Sequence, residues 1–402
     1  MPGIFLAGMA LANLGIMLAF MTPIQNLLPR MSEQIAGSGG KEVALAVVLG
    51  IGVVGSVIGN PLAGALSDRT TSRFGRRRPW MLGGSLIGLA GMLLLPSMTT
   101  VVGLTIAWLF VQFAVNAAYA ALTATIPDQV PVAQRGAASG WVGLAQTLGV
   151  VLGVALVSFV VLALAQGTYL IGILFVLFVL PFMFILKDPP LSKQDRPDFH
   201  LGTFVKGFWV SPRLYPDFGW AWLARFLVGL SISMATLYLL FYLQDHLGFT
   251  SDEASQKQTI LIALYAFGTM LTAVIGGAVS DRSGKRKKFV VVSTVVIALA
   301  ALILAFTKEF DLAIVAALVL GLGYGWYLAV DQALITQVLP TAVDRARDLG
   351  VINIANSLPQ VLAPVLAAPI VTSLGGYPIL YVTTAVVGVL GAVAVLPIKS
   401  VP

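Results

Sequence analysis

GALSDR, Gly64 to Arg69, is the stretch that decides the fold, because it returns 213 positions later as GAVSDR at Gly277 to Arg282, with five of six letters the same. Each copy closes an apolar run and opens a basic connection, so the chain reads as two like halves. Runs able to cross roughly 30 Å of hydrocarbon, at about 20 residues each, can be sought outward from these two points. They fall near 4–28, 43–67, 80–97, 100–126, 138–163 and 167–186, then 217–244, 257–279, 289–306, 311–338, 349–373 and 376–397. Composition agrees: of 402 residues 58% are hydrophobic and only 10% charged, against about a quarter charged in ordinary soluble domains. Too few polar side chains exist to clothe a soluble globule of this size. The expected architecture is an all-α membrane protein of twelve transmembrane helices: a six-helix bundle at 1–187, a cytoplasmic linker at 188–216 and a second six-helix bundle at 217–402.

The charges fix the expected orientation. Of the 24 Lys and Arg residues, nineteen lie in the even-numbered connections and the C-terminal tail and four in the odd-numbered ones. The positive-inside rule then puts both termini in the cytoplasm of a multi-pass protein of the cell membrane. This asymmetry accounts for the net charge of +7 without nucleic acid as a partner. The opening MPGIFLAGMALANLGIMLAF lacks a charged n-region and a small-residue cleavage pattern, so it reads as the first helix rather than a signal peptide. Within the linker, Leu201, Phe204, Val205, Phe208 and Trp209 share one helical face, the pattern of a short helix lying in the membrane interface. Cysteine is absent, which removes disulfides, thiolate metal sites and cysteine nucleophiles together.

Parallel six-helix repeats are one transporter architecture, with the ligand held between the repeats. The second copy continues as DRSGKR (Asp281 to Arg286), and both copies resemble the loop between the second and third helices of each half in the major facilitator superfamily. The first copy runs SDRTTSRFGRRRPW (Ser67 to Trp80), with Gly75 four residues later than usual, which is similar to the sucrose-type proton symporters of the glycoside-transporter branch. DLGVINIANSLPQ, Asp348 to Gln360, adds to that resemblance. The resemblance implies a pseudo-two-fold axis along the membrane normal and alternating access. It also implies a gating motif of Gly64, Asp68, Arg69, Arg76 and Arg77, repeated as Gly277, Asp281 and Arg282, whose carboxylates meet a helix dipole of the other half. The same arginines would also set topology and touch anionic headgroups.

Away from the span ends only Arg225 and Asp331 carry charge, each at about 10–12 Å depth at 1.5 Å per residue. Charged groups in lipid tend to be functional, so this pair is the candidate coupling site, Asp331 trading Arg225 for a proton or a substrate hydroxyl. The plainer alternative is a fixed buried ion pair. Gln112, Asn116, Tyr119 and Thr123 share one face of the fourth span, and Asn353, Asn356, Ser357 and Gln360 repeat the pattern in the eleventh. Asn13, Tyr238, Tyr242, Tyr324 and Tyr327 extend the polar and aromatic set. Amides and hydroxyls interleaved with rings suit a polyhydroxylated solute, although such groups also bond between packed helices. In the sucrose-type symporters an aspartate four residues before the helix 4 asparagine is expected to take the proton. Gln112 stands there and cannot titrate, so Asn116 carries over as a substrate contact and the proton role does not.

The favoured expectation is a secondary transporter of a small hydroxylated solute, a sugar or glycoside in class, with protons as co-substrate, no cofactor, and a monomeric chain in the bilayer. The competing expectation is a proton-coupled efflux antiporter for a drug-like compound or metabolite. Gly140, Gly149 and Gly153 fit the first part of the antiporter pattern in helix 5, but Val154 replaces its proline, and the GxxxG they contain ordinarily marks close packing. An enzyme would need a catalytic or metal cluster. HExxH and GxSxG are absent, His200 and His246 fall on opposite sides, and Gly37 to Lys41 reads as a flexible extracytoplasmic turn rather than a phosphate loop. A transport-dead receptor would not keep polar stripes in both halves.

Overall fold

The structure, a computed structural model, describes residues 3–131, 134–161, 163–192, 194, 213–283, 286–338 and 345–399. No strand occurs among them, and the helices follow the apolar runs. The N-terminal unit, Met1–Asp198, holds α1 (Gly3–Ala36), α2 (Lys41–Asp68), α3 (Arg78–Leu94), α4 (Val101–Gln129), α5 (Arg135–Ala155) and α6 (Leu164–Ile185). The C-terminal unit, Phe199–Pro402, holds α7 (Pro216–Leu237), α8 (Ser251–Ser283), α9 (Arg286–Phe306), α10 (Phe310–Val338), α11 (Arg345–Ser373) and α12 (Gly376–Val395). Among the described residues eleven helices are long and apolar enough to cross a membrane. The division between the units falls within the expected linker, whose interfacial helix at Leu201 to Trp209 lies outside the described residues.

Glycines set how closely these rods approach. On α5, a Cβ at Gly149 would stand 2.8 Å from Met17 Cβ of α1, and one at Gly153 would overlap the Thr22 hydroxyl. The GxxxG of α5 is therefore a packing seam. In the C-terminal unit α8 and α10 meet the same way: a Cβ at Gly268 would lie 2.9 Å from the Leu318 carbonyl, and Cβ atoms at Gly321 and Gly325 would overlap the Tyr265 and Thr269 carbonyls. Helices in lipid gain little hydrophobic drive toward one another, so backbone contact of this kind is what holds them. Local signals fix the ends. Thr100 caps α4 by accepting the Gly103 amide at 3.1 Å. Ahead of α8, the Thr250 hydroxyl and amide both donate to Glu253 Oε2 (2.8 and 3.1 Å), a capping box that holds this exposed carboxyl below its ordinary range.

Three expectations need correction. The first span does not stop near residue 28. It passes through a π-helical turn at Pro23–Leu27 and continues to Ala36, so Arg30 sits in a helix and not in a connection. The turn at 37–40 is real, with Gly37 at φ +68°, but Lys41 is the buried first residue of α2 and pairs with Glu33 at 3.4 Å. The seventh span breaks at Tyr238 and resumes through Leu239–Phe241 into another π turn, Tyr242–His246, so His246 belongs to the end of this span. There its Nε2 lies 3.1 Å from the Thr307 carbonyl.

The seam between α8 and α10 predicts an inversion of helix propensity. Alanine favours a helix over glycine by about 1 kcal/mol, yet overpacking costs about 1–3 kcal/mol. Gly325→Ala will therefore lower the melting temperature in detergent, whereas Gly83→Ala, whose Cβ would meet nothing within 4 Å, will not. Equal melting of the two variants would refute the seam.

Candidate functional site

In the N-terminal unit the polar stripe of α4 is tied to its neighbours. Asn116 Nδ2 donates to Ser56 Oγ of α2 at 2.8 Å and to the Gln112 carbonyl at 2.8 Å, and Ser56 Oγ donates to Gln112 Oε1 at 3.2 Å. Gln112 and Asn116 are both buried. One turn on, Gln146 Nε2 of α5 donates to the Tyr119 hydroxyl at 3.0 Å, and the Thr123 hydroxyl turns back to the Tyr119 carbonyl at 2.9 Å. Asn13 of α1 is different. It is fully buried, and neither its Oδ1 nor its Nδ2 has a hydrogen-bond partner among the described residues. A buried amide in that state is expected to be satisfied by water or a ligand.

At the other end of this unit the α2–α3 loop closes on three aspartates. Arg77 is buried: it pairs with Asp68, donates through Nε to Asp128 Oδ2 at 3.0 Å, and donates through Nη1 to Ser67 Oγ at 2.8 Å. Arg76 reaches the same Asp128 oxygen at 3.0 Å. Asp188, just past α6, accepts the Arg77 and Arg78 amides at 2.7 and 2.9 Å, a carboxylate on the positive end of α3. Gly75 lies against it at φ +98°, where a Cβ would overlap the Asp188 carboxyl. Gly64, one turn before Asp68, has open space where a Cβ would go. Arg69 follows as the residue that ends α2. The second copy, Gly277, Asp281 and Arg282, falls within α8, but its side chains lie outside the described residues.

In the C-terminal unit α7 and α10 bring Arg225 and Asp331 into direct contact. Arg225 donates to Asp331 Oδ2 through Nε at 2.7 Å and also through Nη2, while the Tyr327 hydroxyl donates to Oδ1 at 3.0 Å. All three residues are buried. Tyr327 begins a row of near-parallel rings: Tyr324 lies 6.3 Å away at 17°, and Tyr265 of α8 lies 5.9 Å beyond at 20°. Tyr265 also lines an apolar cavity of about 30 Å³, room for a water or two and for no solute. The Tyr238 and Tyr242 hydroxyls donate to the Pro364 carbonyl (3.2 Å) and the Leu304 carbonyl (2.9 Å). On α11, Asn356 is exposed and Gln360 half-buried, and the Asn353 side chain lies outside the described residues.

Sequence reasoning missed Ser56, Gln146, Asp128, Asp188 and Tyr265. Ser56 and Gln146 were visible as polar letters inside apolar runs. Asp128 and Asp188 carry no such mark, because each becomes informative only once loops distant in sequence meet.

Against known proteins, the sequence model of the family described as the Major Facilitator Superfamily matches residues 1–261 and 222–402. The general alpha-glucoside permease of Schizosaccharomyces pombe is 35% identical over 118 residues, 25% of this chain but only 21% of the permease. The multi-drug resistance efflux pump PmrA of Streptococcus pneumoniae is 24% identical over 391 residues, 95% of this chain and 90% of the pump. A crystal structure of a variant of the nucleoside transporter NupG superposes with a TM-score of 0.79 at 14% identity, covering 98% of this chain and 99% of that one. That last likeness is one of fold.

The loop geometry yields its own test. Gly75→Ala adds a left-handed backbone strain of about 1–2 kcal/mol to a collision with Asp188, so it will melt lower than wild type. Asp188→Asn, which keeps one acceptor oxygen, will lose less than Asp188→Ala. A Gly75→Ala protein as stable as wild type would show that Asp188 does not hold the loop.

Proposed function

The chain belongs to the Major Facilitator Superfamily and is a transporter rather than an enzyme, and on that footing we propose that it carries a sugar or glycoside across the cell membrane by alternating access, working as a monomer with both termini in the cytoplasm. The observation that carries this reading is the buried Arg225–Asp331–Tyr327 cluster with its row of tyrosine rings. Both carboxylate oxygens are engaged, so a solute hydroxyl or a proton that takes one of them must compete with a bond already made. Ring faces next to a carboxylate and a guanidinium suit a pyranose, whose C–H face packs on an aromatic ring while its hydroxyls bond to the charged pair. Asn13 of the N-terminal unit, with its unsatisfied amide, is the next candidate contact, followed by Gln112, Asn116 and Tyr119. In the C-terminal unit Tyr238, Asn353, Asn356 and Gln360 complete the proposed set. The local likeness to an alpha-glucoside permease supports the sugar assignment.

Coupling is assigned to Asp331. With Gln112 on α4 unable to titrate, Asp331 is the carboxylate placed deep in a span beside a cation. The alignment over most of the chain with a multi-drug efflux pump favours a second reading, export of a drug-like compound, and the two are separated by what the protein binds.

Removing one partner of a buried ion pair costs about 3–5 kcal/mol, so Asp331→Asn will lower stability and the double variant Arg225→Gln/Asp331→Asn will regain most of it. In proteoliposomes, wild type will accumulate a disaccharide or other glycoside when a pH gradient is imposed. The double variant will equilibrate the same solute without accumulating it. Gradient-driven accumulation that survives in the double variant would remove Asp331 from coupling, and stabilisation by lipophilic cations with none by glycosides would move the assignment to efflux.

A further inference from the structure

We infer that the tip of the α2–α3 loop, Arg73 with Phe74, is a contact site for an anionic phospholipid headgroup. The loop carries four arginines and α3 opens on a fifth, Arg78, and those after Arg69 divide by what they touch. Arg76 and Arg77 are bound by Asp128 and Asp68, and Arg78 donates to the Leu186 carbonyl. Arg73 has no carboxylate partner among the described residues. Its guanidinium lies over the Phe74 ring instead, 4.8 Å from the centroid. Phe74 is 59% exposed, although nothing in the loop's own folding requires it to be. The segment around it is well held: the Phe74 amide donates to Ser72 Oγ at 3.2 Å, the Gly75 amide to the Ser72 carbonyl at 3.0 Å, and Asp188 fixes the residues that follow.

The second copy of the motif shows what the tip adds. There the glycine follows the aspartate by three residues, Asp281 to Gly284, whereas here it follows by seven, Asp68 to Gly75. Arg73 and Phe74 lie in the additional four residues. Gating contacts made by Asp68 and Arg77 do not need them, so the insertion has room for a separate role.

Position supplies the partner. The loop joins two helices of membrane-spanning length and apolarity, so its tip stands at the bilayer surface. An exposed ring beside an unpaired guanidinium at that level has the two parts that recognise an acidic phospholipid: the ring enters the interface, and the planar fork matches the phosphate. Trp80, at the base of the same loop, turns inward instead: it packs against Ala63, Ala117 and Ala120, and its Nε1 donates to Thr70 Oγ1 at 2.8 Å, so Phe74 is the ring left at the tip.

The test uses the full chain in detergent, with phosphatidylglycerol, phosphatidylcholine and inorganic phosphate as probes. Native mass spectrometry counts retained lipid and thermal unfolding reads stabilisation. Wild type will retain phosphatidylglycerol in preference to phosphatidylcholine and will melt higher when it is added. Arg73→Gln/Phe74→Ser will melt with wild type when no lipid is added, and its preference will fall about fivefold, the factor that one arginine contact with an anionic surface carries. Lys308→Gln, which removes the same charge from the connection between α9 and α10, will leave the preference intact. An undiminished preference in the loop variant, an equal loss in Lys308→Gln, or a stabilisation reproduced by inorganic phosphate alone would overturn the assignment.

Discussion

Hydrocarbon offers no hydrogen bonds, and nearly everything in this structure follows from that constraint. Backbone amides and carbonyls must find partners within their own segment, which makes every described span a helix. Side chains face the same requirement. Gln112, Asn116 and Ser56 satisfy one another across α2 and α4, Tyr119 is satisfied by Gln146, and the Arg225 charge is met by Asp331. Asn13 stands apart because the same rule leaves its amide unanswered. Thr22 Oγ1, Ser32 Oγ, Trp108 Nε1 and Trp326 Nε1 are also buried without a partner among the described residues, but Asn13 lacks one at both of its amide atoms, which points to a bound solute or water in the N-terminal unit.

The constraint also explains why close packing takes the form it does. Apolar side chains gain little by leaving lipid for another apolar surface, so helices associate where backbones approach and where polar groups bond. Gly153 against Thr22, and Gly321 and Gly325 against the carbonyls of α8, are the visible result. It follows that Gly149 and Gly153 of the α5 glycine pattern, which in antiporters of the family accompanies a proline, are accounted for here by packing on α1, while Gly140 has open space around it. The pattern then gives the efflux reading no support of its own.

How much of this was legible in the sequence depends on the range of the signal. Apolar runs are local, and they placed most span ends to within a few residues, the exceptions being the start of α8 at Ser251, the break of the seventh span at Tyr238 and the end of α1. There Pro23, Pro29 and Arg30 look like terminators, yet proline is tolerated near the start of a helical segment, and a π turn at Pro23–Leu27 absorbs the irregularity. Which polar residues meet was legible only in part. Arg225 and Asp331 stood out because charge is rare inside spans. Nothing local told whether the α4 stripe would point to a wet surface or bond to Ser56, since the same letters serve both. Asp188 was the least legible, an ordinary acid in a loop until the fold carries it to the N-terminus of α3, against a glycine that leaves it space.

Away from the helix ends, where Arg77 meets Asp68 and Asp128, the spans of the two units hold polar groups of different kinds, and the difference bears on what can rearrange each of them. The α2–α4 network of the N-terminal unit is neutral, and hydrogen bonds between helices in a membrane average only about 0.6 kcal/mol, so exchanging one for a solute hydroxyl is nearly free in either direction. The ion pair of the C-terminal unit is another matter, because separating buried charges without replacement costs several kcal/mol. A solute alone can rearrange the first set. Rearranging the second requires something that neutralises or replaces a charge, and a proton on Asp331 does that most simply. On the proposed reading, coupling to an ion is assigned to the contact between α7 and α10, where a charged pair lies deep within the spans and away from the helix ends that hold Arg77, Asp68 and Asp128.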